Sequence, residues 1–129
     1  MAHQFPVTVY YEDTDMGGIV YHANYLKFIE RARSAWVAEL GVDQLKLKDD
    51  GTVFVVRRIE ADYLAPAILG DALEVRSAVE ATSGVRWVLR QEVFRGTQKI
   101  FEALVTVVAM GPNGKPQLLP AELRRTSGL

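Results

Sequence analysis

A chain of 129 residues, about half of them apolar, has the length and composition of one soluble globular domain and can bury roughly two-thirds of its unfolded surface. Fifteen basic against sixteen acidic residues leave a formal charge of −1, which supplies no bulk attraction for nucleic acid. The absence of cysteine excludes disulfides, thiolate zinc sites and a cysteine nucleophile together. No apolar run approaches the roughly 18 residues of a membrane span. Met1–Gln4 lacks signal-peptide character, so the cytoplasm is the expected compartment.

In chain order, Val7, Val9 and Tyr11 alternate with Thr8 and Tyr10, which predicts a first strand over 5–11. Next comes Glu12-Asp-Thr-Asp15-Met-Gly17-Gly18-Ile-Val-Tyr21-His22-Ala-Asn24-Tyr25, with too many acids and glycines for a strand or helix interior. It reads as a functional loop. Tyr21, Tyr25, Phe28 or Ile29, Ala32, Trp36 and Leu40 then recur at three- and four-residue steps, with charged residues largely between them. This spacing predicts an amphipathic helix over 24–40, ended by Gly41. One or two further helical turns fit 43–50.

From Thr52 the period falls to two. Strands are predicted over 53–64, from Leu73 to Glu80, over 85–94 and over 100–110, with turns at Pro66/Gly70-Asp71, Thr82-Ser83-Gly84 and Gly96-Thr97. The Leu104–Ala109 centre of the last is expected to be buried on both faces. One strand, one long helix and four strands joined by hairpin-like connections predict an α+β domain over 1–129, its helix lying across an antiparallel meander. The tail over 111–129, with little periodicity, is expected to be partly mobile.

Several chemistries find no motif. There is no Gly-x-Ser-x-Gly elbow around Ser34, Ser77, Ser83 or Ser127, no Walker loop and no Gly-x-Gly-x-x-Gly. Asp13-x-Asp15-x-Gly17-Gly18 resembles a calcium loop only in part. Gly17 and Asn24 occupy its fifth and twelfth positions, and a strand precedes it. His3 and His22 are too few for a metal site. There remains a carboxylate beside a glycine turn that opens a helix. Helical first-turn N–H groups attract negative charge, including a developing oxyanion, and an aspartate there can act as base or nucleophile toward an activated carbonyl. On spacing alone the simpler reading leads, in which Asp13 or Asp15 caps the helix. His22 likewise reads as a structural residue or as one that orients water or substrate. Tyr21, Tyr25, Phe28 and Trp36 fit a core better than a cofactor box. Arg57-Arg58 and Arg86-x-x-x-Arg90 can meet phosphates, although adjacent arginines on a strand face opposite sides.

The run Tyr11–Arg33 closely resembles the signature of hotdog-fold acyl-CoA thioesterases. It is most similar to the branch associated with the Tol–Pal system, related to the 4-hydroxybenzoyl-CoA thioesterases. Phe54-Val-Val-Arg57 and Asp62-Tyr-Leu-Ala-Pro-Ala67 extend the likeness over residues 5–110. The resemblance implies a long helix wrapped by a curved antiparallel sheet, paired into a dimer and often a tetramer. It implies Asp15 as the catalytic carboxylate, the backbone N–H of His22 as oxyanion donor, and Gly17, Gly18, Tyr21 and Tyr25 around the substrate. The acyl pocket is implied between subunits, with coenzyme A, part of the substrate and not a cofactor, reaching outward over the sheet. No metal or redox cofactor is implied.

The chain departs from the benzoyl-CoA relatives in one respect. Their basic cluster falls in the hairpin that here reads Thr82-Ser83-Gly84-Val85, leaving Arg86, with Arg57, as the candidate phosphate contacts. A looser grip on coenzyme A and an acyl-carrier-protein substrate both fit. The rival readings are a hotdog dehydratase or hydratase, whose His-x-x-x-x-Pro-Gly motif is missing, and a non-catalytic acyl-binding module, against which Asp15 and the paired glycines argue.

Overall fold

The structure, a computed structural model, describes residues 2–126. Its elements are β1 (Ala2–Thr8), a single 3-10 turn (Tyr11–Asp13), α1 (Asn24–Glu39), α2 (Gln44–Asp49), β2 (Val53–Tyr63), β3 (Ala72–Thr82), β4 (Arg86–Arg95), β5 (Gln98–Met110) and α3 (Ala121–Arg124). The predicted helix is found nearly to the residue. It buries Tyr25, Phe28, Ile29, Ala32, Trp36 and Val37, the stripe its three- and four-residue spacing forecasts. Gly41 follows with a positive φ of 94°, a conformation that costs glycine little.

The sheet has the order β1-β3-β4-β5-β2, and every pair is antiparallel. This corrects the expected meander. Pro66 and Gly70-Asp71 do not close a hairpin, because residues 64–71 carry the chain from the β2 edge to β3 on the other side. A second correction concerns Leu104–Ala109. Strand β5 lies inside the sheet, with one face buried and the other only partly shielded. The free edges are β1 and β2. The first strand also ends earlier than expected. Val9 leaves the ladder, its N–H bonding Asp71 O at 3.0 Å, and Tyr11 enters the 3-10 turn.

Alternate residues of β3, β4 and β5 face α1 and form one core cluster with its apolar stripe. At the centre of that face lies Gln91, fully buried. Its Nε2 donates to Ile29 O (2.9 Å) and Ser77 Oγ (3.0 Å), while its Oε1 accepts from Arg33 Nη1 (2.9 Å). A buried amide is tolerated only when satisfied in this way, and here it ties α1 to the sheet.

Among the described residues the tail packs on the fold. Leu119 N donates to Gly84 O at 2.7 Å, Leu119 and Leu123 are buried, and the Trp87 indole donates to Thr126 Oγ1 at 2.7 Å. Two leucines and one hydroxyl anchor it where period and propensity are silent. Residues 127–129 of the expected mobile tail lie outside the described residues.

Candidate active site

The Glu12–Tyr25 loop is a miniature hairpin held at several points. Thr14 bridges Val20, Asp15 N donates to Ile19 O (2.9 Å), and Gly18 N closes the turn on Asp15 O (2.9 Å). At its tip Gly17 N donates to Asp15 Oδ1 at 2.9 Å. Gly18 has a φ of 79°, in the left-handed region where a side chain is strained. A Cβ on Gly17 would lie 3.2 Å from Asp15 Oδ1. The paired glycines therefore have separate structural reasons, one for the turn and one for the carboxylate.

Two sets of contacts fix this hairpin to the fold. Asp13 O accepts from both Tyr21 N and Asn24 Nδ2 at 2.9 Å, joining the loop's start to the first residue of α1. Val20 N donates to Ala67 O at 2.9 Å, and Ile19 bridges Ile68, so the crossover segment forms the opposite wall. Arg95 holds that segment, its Nη1 2.7 Å from Pro66 O and 3.2 Å from Asp71 Oδ2.

The helix-capping reading of the acids fails on geometry. The cap position of α1 is Ala23, with no side-chain bond. Asp13 Oδ2 accepts from Tyr10 N at 2.8 Å, and Asp15 Oδ1 accepts from Gly17 N. The backbone N–H groups of His22 and Ala23 donate to no described group. Ala23 is the cap position of α1 and His22 precedes it, so both donors lie at the entry to the helix.

Asp15 and His22 share the rim of an open cleft of about 440 Å³. Its walls are Ile19, Val20, Tyr25, Tyr63 and the 64–66 segment. Tyr63 Oη donates to His22 O at 2.9 Å, fixing the peptide next to the free donors. Tyr25 is stacked on Phe101 with centroids 4.9 Å apart and meets Tyr63 edge-on at 5.7 Å. Burial raises the pKa of the Tyr25 phenol above its ordinary value, against a smaller lowering by the Ala67 backbone. The cleft is thus mostly apolar with two reactive features: an exposed carboxylate that accepts one hydrogen bond, and unpaired backbone donors. That combination can activate a nucleophile and hold an oxyanion.

Of the residues singled out from the sequence, Asp15, His22 and Tyr25 come together at the cleft, and Gly17 and Gly18 shape its rim. Tyr21 does not line it and leans on the His22 ring, centroids 4.6 Å apart. Arg57 falls at a register shift in β2. Arg86 pairs across β5 toward Val55, about 26 Å along β2 from Tyr63 at 3.3 Å per residue. Within one chain neither arginine reaches the cleft. Tyr63, Asn24 and Arg95 were not singled out. Tyr63 lies in the Asp62–Ala67 stretch that carried the resemblance, whereas Asn24 and Arg95 act through carbonyl contacts that leave no motif.

Comparison with known proteins bears on the family and the fold. The Thioesterase superfamily model matches residues 17–102. The acyl-CoA thioester hydrolase YbgC of Escherichia coli is 39% identical over 122 residues, covering 93% of this chain and 91% of that protein. The acyl-CoA thioesterase YbgC of Haemophilus influenzae is also 39% identical, covering 93% and 90%. A solved probable thioesterase from Bartonella henselae superposes with a TM-score of 0.87 at 33% identity, covering 93% of this chain and all of that one. The α+β hotdog architecture, the match over most of the chain and a cleft with a carboxylate beside free helix-start donors lead to one conclusion: the chain belongs to the thioesterase superfamily.

Proposed function

We propose that this protein hydrolyses acyl-CoA thioesters, taking up water and releasing a carboxylic acid and free coenzyme A. The observation that carries the reading is Asp15, an exposed carboxylate with no capping duty, on the same cleft as the unpaired N–H groups at the α1 start. The thioester carbonyl oxygen takes the His22 N–H, and the negative charge that grows on it is stabilised by that donor and the helix start. Asp15 either takes a proton from the attacking water or adds to the carbonyl carbon itself, forming an anhydride that water then opens. Both routes expel the coenzyme A thiolate and are redox-neutral, so neither draws on a redox cofactor. Gly17 orients the carboxylate, and Tyr25 and Tyr63 flank the acyl group.

Within the superfamily we assign the chain to the Tol–Pal-associated branch on its Tyr11–Arg33 signature, and to the cytoplasm, where acyl-CoA is made and used. We also assign it a dimer built on β2. That edge strand leaves Val53, Val56 and Ile59 exposed, a surface an unpaired edge rarely keeps. Two-fold pairing of β2 with its copy runs the strands antiparallel and brings the Arg86 end of one sheet toward the cleft of the other. Arg86 and Arg57 then become available to the coenzyme A phosphates. Thiol release from a panel of acyl-CoA and acyl-carrier-protein thioesters tests the reading. The chain has no cysteine, so a thiol reagent reports the product alone, and absence of release from every thioester contradicts the proposal.

A further inference from the structure

The 64–71 segment that carries the chain from β2 to β3 is fixed to the fold at both ends. Leu64 N and Ala65 N donate to Ile100 O at 2.9 and 3.1 Å, and Asp71 O accepts from Val9 N at 3.0 Å. Between these ends Pro66 has no N–H to give, and its carbonyl accepts from Arg95 Nη1 at 2.7 Å. The same Nη1 meets Asp71 Oδ2 at 3.2 Å, and Asp71 Oδ2 also accepts from Ile68 N at 2.9 Å. Arg95 therefore ties the middle of the segment to its end. The arginine is itself held in place. It ends β4 at a two-residue turn whose Gly96 has a φ of 61°, the left-handed first position that suits a tight hairpin. Across that turn its strand partner Gln98 accepts from Nη2 at 2.9 Å.

What Arg95 holds is one wall of the Asp15 cleft. Leu64, Ala65 and Pro66 line that wall, and Ile19 and Val20 line the other. The two walls join where Val20 N donates to Ala67 O at 2.9 Å, one residue beyond the carbonyl that Arg95 takes. Arg95 does not line the cleft itself. We propose that Arg95 is a positioning residue for acyl specificity, which rests on the thioesterase reading: by fixing Pro66 it sets the gap between the walls, and so the bulk of the acyl group that the cleft admits. A planar guanidinium fork bound to three acceptors has little freedom left. A segment anchored only at its ends can bow outward, and a bowed wall favours the larger of two competing substrates, which relative kcat/KM reports.

Arg95→Met keeps the aliphatic stem and removes the fork, and Arg95→Lys keeps the charge without the fork. Arg76→Met is the control, because Arg76 is likewise a partly exposed sheet arginine paired with a carboxylate, Glu74 Oε1 at 2.7 Å, and lines no part of the cleft. The first measurement, on the full chain without substrate, is amide hydrogen exchange. The Val20 and Ile68 N–H groups are expected to exchange about tenfold faster in Arg95→Met, with the amides of β4 and β5 as in wild type. The second is kcat/KM for acetyl-CoA and phenylacetyl-CoA by thiol release. The ratio in favour of phenylacetyl-CoA is expected to rise at least about threefold in Arg95→Met, by a smaller factor in Arg95→Lys and not at all in Arg76→Met. Wild-type exchange in Arg95→Met, an equal change for both thioesters, or the same ratio change in Arg76→Met overturns the proposal. Where Arg95→Met does not fold, a wild-type ratio in Arg95→Lys overturns it. Thiol release by the wild type from no thioester at all defeats the thioesterase reading and the proposal together, whereas release with an unchanged ratio defeats the proposal alone.

Discussion

Replacing Gly17 and Gly18 one at a time with alanine separates the turn from the carboxylate. At Gly18 the added Cβ meets nothing within 4 Å, but the φ of 79° is left-handed. An L-residue there costs about 1–2 kcal/mol, partly offset by the reduced unfolded-state freedom of alanine, about 0.4–1 kcal/mol. The net loss is about 1 kcal/mol, which for a chain of this size lowers Tm by roughly 3–5 °C. At Gly17 the φ is not positive, and the added Cβ lies 3.2 Å from Asp15 Oδ1. The carboxylate, as the mobile end of a side chain, yields by a few tenths of an ångström, so stability changes by less than about 0.5 kcal/mol. The displaced carboxylate is expected to lower kcat/KM about tenfold, equivalent to about 1.4 kcal/mol of barrier. Thermal melts and steady-state thiol release on both variants measure the contrast. Full activity in Gly17→Ala, or a Tm loss confined to Gly17→Ala, refutes the assignment of Gly17 to the carboxylate and Gly18 to the turn.

Trp36→Ala removes a ring that is 3% exposed and packed against Trp87 with centroids 5.4 Å apart; a loss of about 3–5 kcal/mol is expected in denaturant unfolding, and unchanged stability with altered acyl preference contradicts its place in the core. Tyr63→Phe deletes only the hydroxyl that holds His22 O. Because Tyr63 is half exposed, less than about 1 kcal/mol of stability should go, while kcat falls several-fold as the His22 peptide loosens; wild-type kcat contradicts that role. Ile59→Lys on the free β2 edge is expected to split the assembly in light scattering, and a wild-type species of 14.4 kDa at micromolar concentration rules out the β2 dimer.

The helix was legible because its buried stripe repeats at 3.6 residues with few interruptions, and a single element's period needs no partner to be read. The strands were legible for the same reason, their order less so. Alternation says which residues share a face, yet it is silent on neighbours, so Leu104–Ala109 reads as a strand buried on both faces. Its partners on both sides, β4 and β2, are set by the 64–71 crossover, whose proline and glycine also fit a hairpin. At the cleft, Asp15 and the glycines were legible as chemistry out of place in regular structure. The choice between cap and reactive group was not, since an aspartate before a helix suits both until its hydrogen bonds are known. Asn24 and Arg95 act on backbone carbonyls of Asp13 and Pro66, contacts that depend on the folded path and on no local pattern.

The proposed mechanism rests on the charge of Asp15, and Asp15→Asn removes that charge while keeping an oxygen to accept from Gly17 N–H. Asp13→Asn is the matched control, because the Asp13 backbone carbonyl serves Tyr21 and Asn24, and an amide oxygen can still accept from Tyr10 N. Steady-state thiol release from acyl-CoA, measured beside the melting temperatures of wild type and both variants, is the decisive comparison. A kcat lower by at least about 10²-fold in Asp15→Asn, with acyl-CoA binding and Tm retained and Asp13→Asn near wild type, is the predicted result. Full activity in Asp15→Asn contradicts the account, and a large loss confined to Asp13→Asn moves the reactive carboxylate two residues upstream.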